Sequence, residues 1–122
     1  MPTLAPEHAT ERLCYLTTTG RVTGRPHEIE IWFAQGEGDR IYMLSGGGRS
    51  RDWVLNLIAN PAVSVGIGDA TYRGTATPLD GHPEEPLARR LLDAKYYGWR
   101  EGQALSDWAQ RSFPVAIDLE GR

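Results

Sequence analysis

The chain has 122 residues, of which 40% are hydrophobic and 24% are charged, and its formal net charge is −3. Length and composition of this kind predict a single globular domain over residues 1–122. The small negative charge provides no long-range attraction to nucleic acid or to an anionic membrane, so neither is an expected partner.

Hydrophobic periodicity and turn residues predict a mainly β structure for the first half of the chain. Residues 27–34 alternate between apolar and polar side chains, which is typical of a strand with one buried face. After three consecutive glycines, Ser50 is suited to cap a helix. The predicted elements are a short helix over 6–12, strands over 13–19, 27–34 and 40–45, and a helix over 51–59.

The second half of the chain predicts three more strands and two helical stretches. The strands cover 62–67, 71–79 and 113–119, and helices begin near 84 and 105. Strands joined by tight turns favour an antiparallel sheet. Six such strands most easily bury their apolar face by curling into a small split barrel, so the predicted class is mainly β (α+β). One helix separates the third and fourth strands, and the other helices precede the last strand.

Several familiar kinds of site are absent from the sequence. The glycines at 46–48 lack the lysine of a nucleotide-hydrolase phosphate loop, and no GxGxxG motif joins a strand to a helix. His8, His27 and His82 have no metal-ligand spacing, so no metal site is predicted. Cys14 is the only cysteine, and neither a secretory signal nor an apolar run of about 20 residues is present. A cytoplasmic protein is therefore expected.

The segment from Ser45 to Trp53 is the most informative one for ligand binding. Glycines at 46–48 let a backbone approach a ligand closely, and the N-terminus of the predicted helix favours an anion. Arg49 and Arg51 add planar guanidinium donors suited to phosphate. A flexible loop with solvated arginines explains the same residues equally well, so the segment by itself leaves both interpretations open.

An ordered set of segments carries a resemblance to a known family. Residues 17–26 read TTTGRVTGRP and 31–33 read IWF; SGGG follows at 45–48, DWVLNLIANP at 52–61 and RSFPV at 111–115. This set resembles the TTGRKSGRPR…PVWF, Ser-x-Gly-Gly, W-x-x-N-L-x-A-N-P and R-x-I-P-V segments of the deazaflavin (coenzyme F-420)-dependent nitroreductase family. That family lies within the pyridoxamine-phosphate-oxidase-like FMN-binding split β-barrels. The resemblance extends over about residues 12–120.

The resemblance implies an oxidoreductase, often a homodimer, that uses reduced coenzyme F-420 to transfer a hydride to an electron-poor small molecule such as a quinone, enone or nitroaromatic. It places the phosphate tail of the cofactor near the arginines and the ring along Trp32 and Ser45. Tyr96 and Tyr97 are the candidate catalytic proton donors, although a plug of aromatic side chains at a helix end also explains them. The expected cofactor-binding residues are Arg21, Arg25, Trp32, Ser45, Gly46, Gly47, Gly48, Arg49, Ser50, Arg51 and Trp53.

The sequence departs from the family pattern at a few positions that bear on the cofactor. Val22 stands where relatives commonly have lysine, and Asp52 stands where they often have proline. Glu28 and Glu30 add negative charge beside an expected polyanionic cofactor. These differences leave three alternatives open: FMN in place of F-420, a cofactor-binding module without turnover, and a scaffold that binds neither.

Overall fold

The computed structural model describes residues 3–121. It contains seven strands and four helices, in the order α1 (Pro6–Ala9), β1 (Cys14–Thr19), β2 (Pro26–Ile31), β3 (Ala34–Gln35), β4 (Arg40–Ser45), α2 (Asp52–Ala59), β5 (Ala62–Ile67), β6 (Ala70–Pro78), α3 (Glu85–Tyr97), α4 (Asp107–Arg111) and β7 (Phe113–Gly121). No helix within residues 3–121 is long and apolar enough to cross a membrane.

The strands form one antiparallel sheet in the order β2-β1-β5-β6-β7-β4-β3. The two edge strands, β2 and β3, are separated in the chain only by Trp32 and Phe33. Three Cα–Cα steps span at most about 11 Å, so Ile31 and Ala34 bring the two edges together at this corner. The sheet therefore curls into a half-barrel. The prediction of a mainly β structure with a curled antiparallel sheet is confirmed.

Two details of the prediction were wrong. The strand predicted over 27–34 is divided into β2 and β3, which gives seven strands instead of six, because Trp32 and Phe33 turn the chain from one sheet edge to the other. Ser50 is not the N-cap of α2, since Arg51 occupies that position in an extended conformation and no side chain caps the helix. The helix between β4 and β5 and the two helices before β7 are where the sequence predicted them.

Apolar side chains lie in two clusters on either side of the curled sheet. The larger fills the barrel, where Val63, Val65 and Ile67 of β5 pack with residues of β1, β4, β7 and helix α2. Trp53 belongs to this cluster and is 8% exposed. The smaller lies under α3 and α4, and Trp32, Tyr96 and Trp108 pack at its margin. The aromatic residues therefore mark the place where α3 and α4 meet the corner between β2 and β3.

Candidate functional site

The edge strand β2 connects two surface pockets. Pro26 and His27, at one end of the strand, line a pocket of about 270 Å³ beside the β1–β2 turn and the start of α2. Glu30 and Ile31, at the other end, line a pocket of about 360 Å³ beside Leu44 of β4. His27 and Ile31 are four residues apart along the strand, which corresponds to about 13 Å between the two pockets. We call this open edge, with its two pockets, the seam.

Arg21 and Asn56 shape the first pocket. The buried Asn56 carboxamide accepts hydrogen bonds from the backbone N–H of Arg21 at 3.1 Å and from its Nη1 at 2.8 Å. Its Nδ2 donates to the Thr18 hydroxyl at 3.2 Å. Asp52, in the first turn of α2, pairs with Arg21 Nη2 at 3.1 Å. The Arg21 guanidinium is thus oriented by the helix, and part of its charge is neutralised.

The arginines predicted to hold an anion differ in whether they have an acidic partner. Arg49 lies 3.7 Å from an Asp80 carboxylate oxygen and over the Phe113 ring. Within residues 3–121, neither Arg25 nor Arg51 pairs with a carboxylate. Arg25 lines the first pocket, and Arg51 immediately precedes α2. Arg25, in the first pocket, and Arg51, at the start of α2, are therefore the predicted arginines best able to bind an anion.

The glycine loop adopts a conformation that needs its glycines. Gly48 has a φ of +84°, which side chains other than glycine rarely adopt. A Cβ on Gly47 would lie 1.6 Å from Arg51 Nε, so the arginine side chain folds against bare backbone. Ser45 is buried, and its hydroxyl donates to the Gly48 carbonyl at 2.8 Å. The loop is therefore held by its own contacts and keeps its glycine backbone at the surface.

Three aromatic rings form the second pocket. Trp32 meets Trp108 at a centroid distance of 5.3 Å and an angle of 77°, and meets Tyr97 at 6.0 Å and 62°. Tyr97 and Trp108 are themselves 5.7 Å apart at 58°. Leu13 and Tyr97 are exposed at the mouth, the latter by 58%. A Cβ on Gly46 would lie 3.6 Å from Trp108, so the glycine loop lies next to one of the rings that line this pocket.

Tyr96 and Lys95, in the last turn of α3, support the pocket from behind. Tyr96 stacks on Trp32 at 4.3 Å with an interplanar angle of 3°. Its hydroxyl lies 3.0 Å from the Phe33 backbone N–H, 2.9 Å from the Phe33 carbonyl and 2.8 Å from the Arg12 carbonyl. Lys95 Nζ donates to the Glu11 and Phe33 carbonyls at 2.7 and 2.8 Å. The helix end therefore fixes the corner that carries Trp32.

Four of the predicted site residues line the pockets of the seam: Arg21 and Arg25 at one end, and Trp32 and Tyr97 at the other. The loop over 45–51 lines neither pocket, and its Gly46 lies next to Trp108. Trp53 lies apart, in the barrel core, and the Tyr96 hydroxyl is engaged by backbone groups. Asn56, Lys95 and Trp108 were not predicted from the sequence as site residues. An asparagine on an apolar helix face and the chain's single lysine were the signals available for the first two.

Replacing the buried Asn56 with alanine is expected to lower the free energy of unfolding by about 2 kcal/mol, because the Arg21 amide and the Thr18 hydroxyl lose their partner. Urea denaturation measures this loss, and hydrogen exchange at the Arg21 amide should accelerate. Asn60→Ala, at the exposed end of α2, is the matched control and should cost less than half as much. Equal losses in the two variants would contradict a specific role for Asn56.

Comparison with known proteins gives a match over nearly the whole chain. A model of the F420H(2)-dependent quinone reductase family matches residues 7–120. An F420H(2)-dependent quinone reductase of Mycobacterium tuberculosis (strain ATCC 25618 / H37Rv) is 35% identical over 78 residues, which cover 62% of this chain and 51% of that protein. The matched segment thus spans about half the length of this curated relative.

Solved structures show the same fold. An F420-H2 dependent reductase is 29% identical with a TM-score of 0.66, covering 90% of this chain and 95% of its own. A structure described as a domain-swapped dimer is 30% identical with a TM-score of 0.66, covering 90% and 81%. A candidate pyridoxamine 5′-phosphate oxidase from Listeria innocua, 20% identical with a TM-score of 0.64 over 90% and 85%, shares the fold alone.

Proposed function

Because the chain belongs to the F420H(2)-dependent quinone reductase family, we propose that it is a reductase that uses the reduced deazaflavin F-420. Its substrate would be an electron-poor small molecule such as a quinone, an enone or a nitroaromatic. The observation that carries this proposal is the seam, which joins the unpaired guanidinium of Arg25 at one end to an aromatic pocket at the other, with the unpaired Arg51 at the start of the adjoining helix α2. That arrangement suits a planar ring with an anionic tail.

The residues of the seam fit the parts of this cofactor. Arg25 and Arg51 would bind the anionic tail, with Arg21 held beside them by Asn56. The glycine loop would let the ring approach the backbone next to Trp32. When bound, the reduced deazaflavin supplies the hydride. The protein contributes binding, orientation and, through Trp32, Tyr97 and Trp108, an apolar wall that excludes water from the acceptor.

Titration of the purified protein with oxidised F-420, beside an identical titration with FMN, tests the cofactor. Saturable binding that favours F-420, followed by oxidation of the reduced cofactor when a quinone is added, would support the proposal. FMN remains the second candidate, because Asp52 and Asp80 neutralise part of the arginine charge and Val22 adds none. A preference for FMN would identify FMN, and not F-420, as the cofactor. Binding of neither, in a protein shown to be folded, would reject the proposal.

Substitution of Tyr97 and substitution of Tyr96, the two candidate proton donors, are expected to have different effects. Tyr97→Phe should lower kcat by about tenfold, because this exposed tyrosine lines the aromatic pocket and its hydroxyl can give a proton to the reduced acceptor. Tyr96→Phe should leave kcat within a factor of about two but lower the melting temperature, since it loses backbone hydrogen bonds to Phe33 and Arg12. Steady-state kinetics and thermal melts of both variants measure the difference. A Tyr97→Phe enzyme with unchanged kcat would leave solvent as the proton source.

The oligomeric state and location are also part of this proposal. The resemblance implies a homodimer, and a relative of similar fold is described as a domain-swapped dimer. We therefore propose a homodimer, which sedimentation of the purified protein tests directly. The cytoplasmic location expected from the sequence stays a prediction.

A further inference from the structure

Resting on the proposed reductase function, we propose that Glu30 makes the aromatic pocket selective for aromatic acceptors that carry a positive charge and disfavours anionic ones. The proposal thereby narrows the acceptor class beyond electron-poor molecules in general. Glu30 sits on β2 at the edge of the pocket, among the three mutually tilted rings and two leucines.

The rings themselves favour a cation. The face of an aromatic ring carries negative potential, and indole attracts a cation most strongly. Trp32, Tyr97 and Trp108 pack against one another at tilted angles, with ring centroids 5.3 to 6.0 Å apart, and all three line the pocket. Apolar side chains, Leu13, Ile31 and Leu44, complete the lining. A flat organic cation would gain stacking and cation–π attraction there with little desolvation of polar groups.

Glu30 adds a full negative charge that is held in place. The Tyr15 hydroxyl donates to Glu30 Oε1 at 3.2 Å, and this hydrogen bond raises the pKa of Tyr15. The tyrosine therefore stays a neutral donor, which restrains the carboxylate. Among residues 3–121, no lysine or arginine lines the pocket. The side chains of Arg12 and Lys95 lie 4.9 and 5.3 Å from the ring of Tyr96, which stacks on Trp32.

The chain contains a matched control for Glu30. Glu28 lies two residues earlier on the same face of β2, is exposed, and lines neither pocket of the seam. Glu28→Gln and Glu30→Gln change the net charge of the protein by the same amount. An effect of overall charge would therefore appear in both variants, whereas an effect at the pocket would appear in Glu30→Gln alone.

The test compares methylene blue, a planar cationic dye, with dichlorophenolindophenol, an anionic dye, both of which accept two electrons. Binding to the cofactor-free protein is measured by dialysis, and KM is measured with reduced F-420. We expect the wild type and Glu28→Gln to favour the cation. Glu30→Gln should weaken cation binding about three- to tenfold and strengthen anion binding.

The outcomes separate this inference from the proposed function. Equal affinity of the wild type for both dyes, or equal shifts in Glu28→Gln and Glu30→Gln, would overturn the charge selectivity even if reduced F-420 is oxidised. Loss of selectivity in Glu30→Gln alone, in a protein that does not bind F-420, would support the pocket's preference while rejecting the reductase. Thermal melts of both variants show that they remain folded.

Discussion

Arg25→Ala/Arg51→Ala is expected to bind oxidised F-420 about 10- to 100-fold more weakly than the wild type, because two charge-assisted contacts to the tail are lost. Both guanidinium groups lack an acidic partner within residues 3–121, so the wild-type side chains need not leave an ion pair to bind the anion. Fluorescence titration measures the change. Affinity of the wild type should also fall with added salt, and that dependence should weaken in the double variant.

A control double variant and a comparison of two single variants test whether the effect is specific to Arg25 and Arg51. Arg90→Ala/Arg100→Ala removes the same charge from exposed positions on and just after α3, and should leave the affinity for F-420 within about twofold. Arg49→Ala should have a smaller effect than Arg51→Ala, since Arg49 already pairs with Asp80. Unchanged affinity in Arg25→Ala/Arg51→Ala would place the anion elsewhere on the protein. An equal loss in both double variants would indicate bulk charge alone.

Lys95→Met is expected to lower the free energy of unfolding by about 2 to 3 kcal/mol, or the melting temperature by roughly 5 to 10 °C. Its ammonium donates to carbonyl groups of the α1–β1 connection and of the β2–β3 corner, and lies 3.9 Å from the centroid of the Phe33 ring. Methionine keeps the length of the side chain but satisfies none of these carbonyls. Arg90→Met, an exposed cation of the same helix, is the control and should have little effect.

The contribution of Lys95 to the free energy of unfolding should also depend on pH. Burial lowers the pKa of Lys95 from 10.5 to about 8. The unfolded chain therefore holds this proton more tightly than the folded chain does, so the lysine contribution to stability increases as the pH rises from about 8 towards 10.5. The difference in unfolding free energy between wild type and Lys95→Met should widen over that range. A constant difference would contradict a lowered pKa of Lys95, and equal stability of the two proteins at every pH would contradict a stabilising role of the Lys95 hydrogen bonds.

The sequence predicted the local elements well because their signals are local. The alternation of apolar and polar residues over 27–31 indicates a strand, and turn residues and glycines indicate where the strands end. The division of β2 from β3 was missed because Trp32 and Phe33 continue the alternating pattern. What interrupts pairing there is the closure of the sheet, which moves the chain from one edge to the other. The wrong N-cap also reflects a local signal. Serine favours the N-cap position, but α2 begins one residue later than the sequence predicted, so Arg51 is the N-cap.

By itself, the sequence determined the fold class, the family and the glycine and arginine segments of the candidate site. Only the tertiary structure decided which of those residues have acidic partners and which side chains are exposed. Pairing with Asp52 and Asp80 separates Arg21 and Arg49 from the unpaired Arg25 and Arg51. Packing of α3 against the corner engages the hydroxyl of Tyr96 and leaves Tyr97 exposed. These outcomes depend on contacts between residues far apart in the chain, for which periodicity and motif spacing hold no information.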